Sequence, residues 1–459
     1  MSRAFDRFKA SAFLVVLAGY LVFNYPFMQL RIPPTGFGIP MGELVLIVVL
    51  LSTDLPRVLL RMNATVFLFP FLVWWSWGLG RFVFDTVEQG FWALRDSTQL
   101  VESLFLVAGF TLAGQPGMMA RLVRLLPLII GICCLYGLLF VFQEDIEAIS
   151  PTLPGASDQA IPIFGLFATT GTMLLWGASF LMIQTPESQA RRIRYGLAAC
   201  FLVAYALLAI QARTTYAQLL AVAGLMLVCN PRALRPLAFA IPLLFVLLIV
   251  IAATGLQISG RLTTEISLSF FWDHFLSSFG ISNGEAGDAV TSAASGVDLR
   301  MGWWTRLYDK LTADEVTLIT GLGYGIPLTD FRDVLGVVVR EPHNSIISVT
   351  ARLGLIGIVA WIWMQVELFR AGFHAYRACL RTGRREAANL IFIILAFAVL
   401  TLAGCLGEDI MEKPYNAIPY YALWGFLLRI AYQLRTEASP DHFAYRAPQA
   451  VAASRPSTL

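Results

Sequence analysis

Uninterrupted apolar stretches of about twenty residues recur from one end of this chain to the other, and that recurrence excludes most folds. Roughly 30 Å of hydrocarbon is covered by about 20 residues of helix. Inside hydrocarbon, only helices and closed barrels satisfy every backbone N–H and C=O. Apolar stretches begin near Ser11, Phe37, Ala64, Thr98, Leu122, Ile163, Tyr195, Thr214, Leu234, Ser345, Asn389 and Tyr415. The sequence therefore predicts an all-α polytopic membrane protein with about twelve transmembrane helices. The stretch from Phe37 is short and carries Glu43, so it is expected to tilt or lie partly in the interface, and ten or eleven crossings also fit. Composition points the same way: 57% of residues are hydrophobic and 14% charged, against about a quarter charged in an average soluble chain.

Four segments follow. Residues 1–255 read as an N-terminal bundle of about nine transmembrane helices, and 256–342 as one long outer loop with short helices. Residues 343–435 supply about three more transmembrane helices, and 436–459, rich in Ala, Pro and Ser, read as a disordered cytoplasmic tail. Positive residues set the orientation, because cytoplasmic connections retain them. With the N-terminus inside, the inner side holds Arg3, Arg7, Lys9, Arg57, Arg61, Arg121, Arg124, Arg191, Arg192, Arg194, Arg232 and Arg235, then Arg370, Arg377, Arg381, Arg384 and Arg385. The outer connections carry Glu144, Asp145, Glu147 and Asp158, or Glu408, Asp409 and Glu412. Both ends are thus expected in the cytoplasm. The first stretch ends in Phe23-Asn24-Tyr25-Pro26-Phe27 and not in a small-x-small cleavage site, so it is read as an uncleaved helix. The net charge of +3 belongs to the inner connections and does not point to nucleic acid. Six cysteines without CxxC spacing imply neither a disulfide framework nor a zinc site.

Within the outer loop, residues 280–296 are rich in Gly, Ala, Ser and Asp and read as a mobile hinge. Residues 298–310 form an amphipathic pattern with Arg300, Trp303 or Trp304, and Tyr308 on one face, which suits an interfacial anchor or a sugar surface equally. Gly321-Leu322-Gly323-Tyr324-Gly325 lacks a following Lys-Ser/Thr, so it is read as a turn that lets backbone approach a ligand or another helix. Arg213 lies in a very short outer connection. An arginine at the centre of hydrocarbon costs about 2.5–3.5 kcal/mol on insertion scales, so Arg213 needs a partner: an outer carboxylate such as Glu408 or Asp409, the interface, or an anion in a cavity. His343 stands at the mouth of an apolar stretch, where it is either a reactive imidazole or a helix-terminal residue beside Asn344 as cap. Arg352 is open between a substrate contact and a partner for Glu341, and Arg95 and Asp96 suit a structural ion pair.

Pro342-His343-Asn344-Ser345, followed by Ala351-Arg352-Leu353-Gly354-Leu355-Ile356-Gly357, resembles the signature of the O-antigen ligase and O-antigen polymerase family. Arg213, the Arg300-x-x-Trp303 segment and the Gly321-x-Gly323-x-Gly325 turn fit the same pattern in order, so the likeness spans residues 213–357. Residues 162–170 depart from it where many relatives carry an Asn-rich Gly-Thr-Phe motif. The resemblance implies a bacterial inner-membrane enzyme that moves a glycan from undecaprenyl diphosphate to an acceptor hydroxyl on the periplasmic face. The acceptor is lipid A core for a ligase, or a growing O-antigen or exopolysaccharide chain for a polymerase. It further implies His343 as catalytic base, and Arg213, Arg300, Asn344, Glu341, Arg352 and Trp303 as substrate-binding residues. No cofactor or metal is expected, and the partners are the lipid-linked donor, the acceptor and membrane lipids, with no nucleic acid.

The chemistry asks for such residues. A leaving diphosphate is matched by guanidinium groups, and an incoming hydroxyl by a base titrating near neutrality. The outer segments hold Arg261, Arg300, Arg306, Arg332 and Arg340 but only Lys310 and Lys413, and no carboxylates at metal-ligand spacing. A transporter of lipid-linked glycan is the rival, but it would show two similar halves and charges at midmembrane; a non-catalytic assembly subunit would not need these cations on one face.

Overall fold

The computed structural model describes residues 3–33, 38–154, 160–164, 169–183, 188–208, 213–254, 288–331 and 338–436. The described chain is helical, with two small antiparallel strand pairs, Arg31–Ile32 with Ile39–Pro40 and Thr152–Pro154 with Ala160–Pro162. Among the described residues three helices are long and apolar enough to cross a membrane: Met118–Leu138, Ser345–Arg381 and Arg385–Gly404. Met41–Leu51, Thr98–Ala113, Thr170–Ile183 and Thr214–Cys229 are apolar but shorter. Twelve full-length spans are therefore not shown, for reasons visible in the helices. The stretch from Phe37 yields only the helix Met41–Leu51, and the stretch from Thr98 is divided at Leu104 into Thr98–Ser103 and Phe105–Ala113. The helix Phe69–Gln89 carries Arg81, Asp85 and Glu88 in its second half.

The centre of the bundle is the helix Pro414–Thr436 against Phe105–Ala113. A Cβ at Gly109 would stand 2.4 Å from the carbonyl oxygen of Ala422, and one at Gly425 2.4 Å from that of Leu106. Only glycine allows backbones this close, the small-residue contact by which helices associate without a hydrophobic driving force. Around it pack Phe105, Phe110, Tyr420, Tyr421, Trp424 and Phe426, all fully buried. The outward faces are apolar as well: Leu51, Phe84 and Val87 are each more than three-quarters exposed.

One break positions the functional region. The helix Ser345–Arg381 is interrupted at Gly354, whose φ of 63° and ψ of −163° lie outside helical geometry. The break frees carbonyls, and each is taken up: Leu322 N–H donates to Ala351 O at 2.7 Å, Gly323 N–H to Arg352 O at 3.0 Å, and Trp77 Nε1 to Leu353 O at 2.9 Å. A Cβ at Gly354 would lie 2.3 Å from Ile319 O, and one at Gly321 2.4 Å from Arg352 O. The glycine-rich turn thus lets backbone approach another helix, as its sequence suggested, and the partner is the 345–353 half-helix.

The amphipathic pattern of residues 298–310 lies within the helix Asp288–Thr312. That helix begins inside the stretch read as a hinge, which corrects the reading for residues 288–296; Ala289, Ala293 and Ala294 are strong helix formers. Residues 280–287 and the proposed tail, 437–459, lie outside the described residues. Leu307 and Leu311 of this helix form a small core with Leu328 and Ala351, seating it on the half-helix.

Candidate functional site

Asn344 is the cap of the half-helix. Its Oδ1 accepts from Ile346 N–H at 3.0 Å and Ile347 N–H at 3.1 Å, satisfying two of the donors a helix start leaves open. Its own N–H donates to Asp409 Oδ1 at 3.0 Å, and its Nδ2 to Leu406 O at 2.9 Å. These bonds engage the side-chain amide from both ends in a buried position, so Asn344 holds the site together and is not placed as a direct substrate contact.

His343, one residue earlier, has φ of 54°, a left-handed conformation that costs a non-glycine residue roughly 1–2 kcal/mol. Its Nδ1 lies 3.2 Å from Asp409 Oδ2 and 3.7 Å from Glu408 Oε2. The Glu408 contact is beyond hydrogen-bond reach and the Asp409 contact is within reach but poorly aligned, so both act mainly as ion pairs. Asp409 first and Glu408 second hold the imidazolium up at about 9, against the opposing cost of burial. Two carboxylates that sequence reasoning had not placed beside the ring thus favour its charged form over the neutral base expected from the sequence.

Three cations share Glu408. Lys413 Nζ is 3.4 Å from Oε2, and Arg300 Nη2 is 3.8 Å from Oε1, while Arg300 Nη1 donates to Gly407 O at 3.1 Å. Burial alone would raise the Glu408 carboxyl; His343, Lys413 and Arg300 overcome it and bring it to about 2. Trp303 is 5% exposed and packs between Phe331, 5.3 Å away between ring centres, and His343, at 6.1 Å. Neither an interfacial anchor nor an open sugar surface describes it; it is a wall for the imidazole. Trp304 Nε1 donates to Pro342 O at 2.9 Å, tying the same helix to the segment that carries His343.

Behind the imidazole, Ser345 Oγ donates to Glu412 Oε2 at 2.6 Å and accepts from Met411 N–H at 3.0 Å. Glu412 Oε1 accepts from Gln99 Nε2 at 2.7 Å, and burial pushes this carboxyl up to about 8, with Asp409 and Glu341 adding to the shift.

A second, drier network supports the half-helix further along, through Ser348 and Arg352. Arg352 pairs with Asp96 Oδ2 at 3.0 Å and Glu341 Oε1 at 2.5 Å, with its side chain 4% exposed. Arg340 reaches the same Asp96 oxygen at 2.7 Å and Gly325 O at 2.7 Å, and Gly325 N–H donates to that oxygen at 3.1 Å. Glu341 also accepts from Ser348 Oγ at 3.2 Å. Arg352 is therefore the partner of Glu341, and both, expected to bind substrate, instead lock the half-helix to the segment around Asp96. Arg95 reaches Asp96 only at 3.9 Å, so the expected Arg95–Asp96 pair is the loosest part of the network.

Arg213 is the first residue of the helix Arg213–Cys229, and its side chain lies outside the described residues. Its neighbour Thr214 packs on Gly407, where an added Cβ would lie 2.3 Å from Thr214 Cγ2. The start of that helix thus adjoins the connection that holds Glu408. Among the described residues no group of three or more His, Cys, Asp or Glu side chains is arranged to hold a metal ion.

The structure brings together His343, Asn344, Arg300 and Trp303, and sets Glu341 and Arg352 aside as supports. Sequence reasoning missed Glu408, Asp409, Glu412 and Lys413 as site residues. Their signal was present: Glu408-Asp409-Ile410-Met411-Glu412-Lys413 puts four charges into one short connection of a chain in which 14% of residues are charged. Comparison with protein-family models and with curated proteins finds no match to this chain.

Proposed function

We propose that this chain is a multi-pass glycosyltransferase of the O-antigen ligase type, moving a glycan from undecaprenyl diphosphate to a hydroxyl of lipid A core on the periplasmic face of the bacterial inner membrane. The carrying observation is the meeting of Arg300, Lys413 and the His343 imidazolium on one half-exposed face at the mouth of the 345–353 half-helix. Three long apolar helices and an apolar outer surface support the membrane location, with about twelve crossings and both ends cytoplasmic as the proposed topology. The motif order from Arg213 to Gly357 supports the reaction class. The same motifs fit polymerisation of O-antigen or exopolysaccharide repeats, which is the second reading.

The surroundings of His343 favour one role for it. Asp409 and Glu408 both favour the charged imidazole at neutral pH, so little of the neutral base is present to take a proton. The charged form is the useful one. As the acceptor oxygen bonds to the anomeric carbon, the bond to the diphosphate oxygen breaks and its electron pair stays with the diphosphate. The imidazolium gives its proton to that oxygen and takes the acceptor's proton, ending as it began. Arg300 and Lys413 stabilise the charge that develops on the diphosphate, while Asp409 keeps the ring cationic. The charge is handled by arginine and lysine side chains.

Purified protein in vesicles, given donor lipid and acceptor without an ion gradient, should form the glycoside; movement of intact donor driven by a gradient, without transfer, would indicate a transporter. In a deletion strain, loss of all lipopolysaccharide-bound polymer with accumulation of lipid-linked polymer marks a ligase. Capping by single repeats, or loss of exopolysaccharide, marks a polymerase.

A further inference from the structure

The contacts around Glu408 differ in kind from the ion pairs that Arg340 and Arg352 make beside the site. Arg340 and Arg352 meet Asp96 and Glu341 at 2.5–3.0 Å, with side chains at most 17% exposed. Glu408 meets its three cations at 3.4, 3.7 and 3.8 Å, and all four side chains are about one-third exposed. Charge-assisted hydrogen bonds that lock a structure sit near 2.7–2.9 Å. Those at Glu408 are longer, wetter and shared three ways. A carboxylate held like this is attracted strongly in sum and gripped by none of its partners.

The charge balance sharpens the point. Three cations, Arg300, His343 and Lys413, face two carboxylates, Glu408 and Asp409. Asp409 is committed, buried with Oδ1 on the Asn344 N–H and Oδ2 on His343. Glu408 has no such anchor among the described residues: there its carboxylate oxygens meet these cations alone, and it stands at the exposed edge. If Glu408 turns outward, the face gains one unit of positive charge; Arg300 and Lys413 lose their carboxylate partner, while His343 keeps Asp409, and the three cations stay at positions set for a larger anion. A diphosphate has enough oxygens to give each cation its own partner, which one carboxylate cannot do.

We infer that Glu408 is a resident anion occupying a diphosphate-binding site, that Lys413 is a ligand of that site alongside Arg300 and His343, and that the incoming diphosphate displaces the Glu408 carboxylate. This rests on the proposed reading of the site and deepens it: the carboxylate keeps the cations satisfied and oriented between turnovers, and raises the threshold for singly charged anions, which cannot replace its three contacts. Selectivity for a diphosphate over a monophosphate follows, because only the longer anion both expels Glu408 and spans from Arg300 to Lys413.

The test is equilibrium binding of inorganic pyrophosphate, and of inorganic phosphate for comparison, to the full-length protein in detergent. Glu408→Gln should bind pyrophosphate at least tenfold more tightly than wild type and should narrow its preference over phosphate. Lys413→Gln should bind pyrophosphate about tenfold more weakly. Unchanged or weaker binding by a folded Glu408→Gln overturns the displacement, and unchanged binding by Lys413→Gln removes Lys413 from the site. Should Glu408→Gln fail to fold, Glu408→Asp, which keeps the charge but withdraws it from the cations, should still tighten binding severalfold; no tightening overturns the inference. Glycan transfer measured in parallel separates the two levels. Transfer by wild type without tightened binding in the variant defeats the displacement alone, and tightened binding without transfer keeps the anion site while defeating the glycosyltransferase reading.

Discussion

His343 Nδ1 lies 3.2 Å from Asp409 Oδ2, although the helices Ser345–Arg381 and Arg385–Gly404 separate the two residues in sequence. The two helices form a hairpin that returns the 405–413 connection to the mouth from which the first helix departs. Ser345 N–H donating to Cys405 O at 3.1 Å and Asn344 N–H donating to Asp409 close the two ends together. The charge state of His343 is thus set by a tertiary contact.

The pH dependence of transfer should report that contact. With His343 acting as imidazolium, the chemical step is expected to be level between about pH 6 and 8 and to fall above about 9. Asp409→Asn removes the larger of the two causes, so the fall should begin closer to the ordinary histidine value of 6.5. Single-turnover rates across pH for the two proteins check this; a wild-type rate that climbs through pH 9 would restore His343 as a simple base.

Stability should follow pH with a definite sign. His343 is raised above its ordinary 6.5, so its contribution is complete below pH 6.5 and is lost as pH rises through about 9. Glu408 is depressed below its ordinary 4.5, so its contribution is present above pH 4.5 and is lost as pH falls toward about 2. Thermal unfolding in detergent should therefore be level from about pH 4.5 to 6.5 with respect to this pair. His343→Gln should lessen the alkaline decline, and an unaltered decline would place its cause elsewhere.

Arg352→Ala should destabilise the protein by about 3–5 kcal/mol, because it leaves Asp96 and Glu341 buried without their shared cation. Arg352→Lys should recover only part of this, since one ammonium cannot serve both carboxylates in that geometry. Denaturation in mixed micelles measures both. Near-native stability of Arg352→Ala would mean that Arg340 alone satisfies the network.

Gly354→Ala should cost about 1–3 kcal/mol or more, through a positive φ and a Cβ placed 2.3 Å from Ile319 O. The turn at residues 321–325 would be pushed off the half-helix, so protease sensitivity around residues 312–331 should rise. Gly357→Ala meets an obstacle of the same kind, since its Cβ would stand 2.1 Å from Leu353 Cβ, an atom fixed to the backbone.

The helical class was legible in the recurrence of apolar stretches, and the glycine-rich turn announced a close backbone approach. The break at Gly354 was not legible, because Gly354-Leu355-Ile356-Gly357 sits within an unbroken apolar pattern and the break is made by residues 319–323, which dock from a distance. Asn344 as cap followed from its place before an apolar run. Arg352 was undecidable for a related reason: burial by Asp96 and Glu341 requires knowing that the segments 91–96 and 340–352 meet. Glu408 and Asp409 were read only as outer carboxylates, since nothing local shows that the hairpin brings them to His343.

The most direct measurement is glycan transfer by His343→Ala, purified and shown to be inserted, with donor lipid and acceptor in vesicles that hold no ion gradient. Wild type should transfer glycan, and the variant should lose about 10² to 10⁴ in turnover, the range for a positioned proton-transfer group. Turnover equal to wild type in a correctly inserted His343→Ala would contradict this.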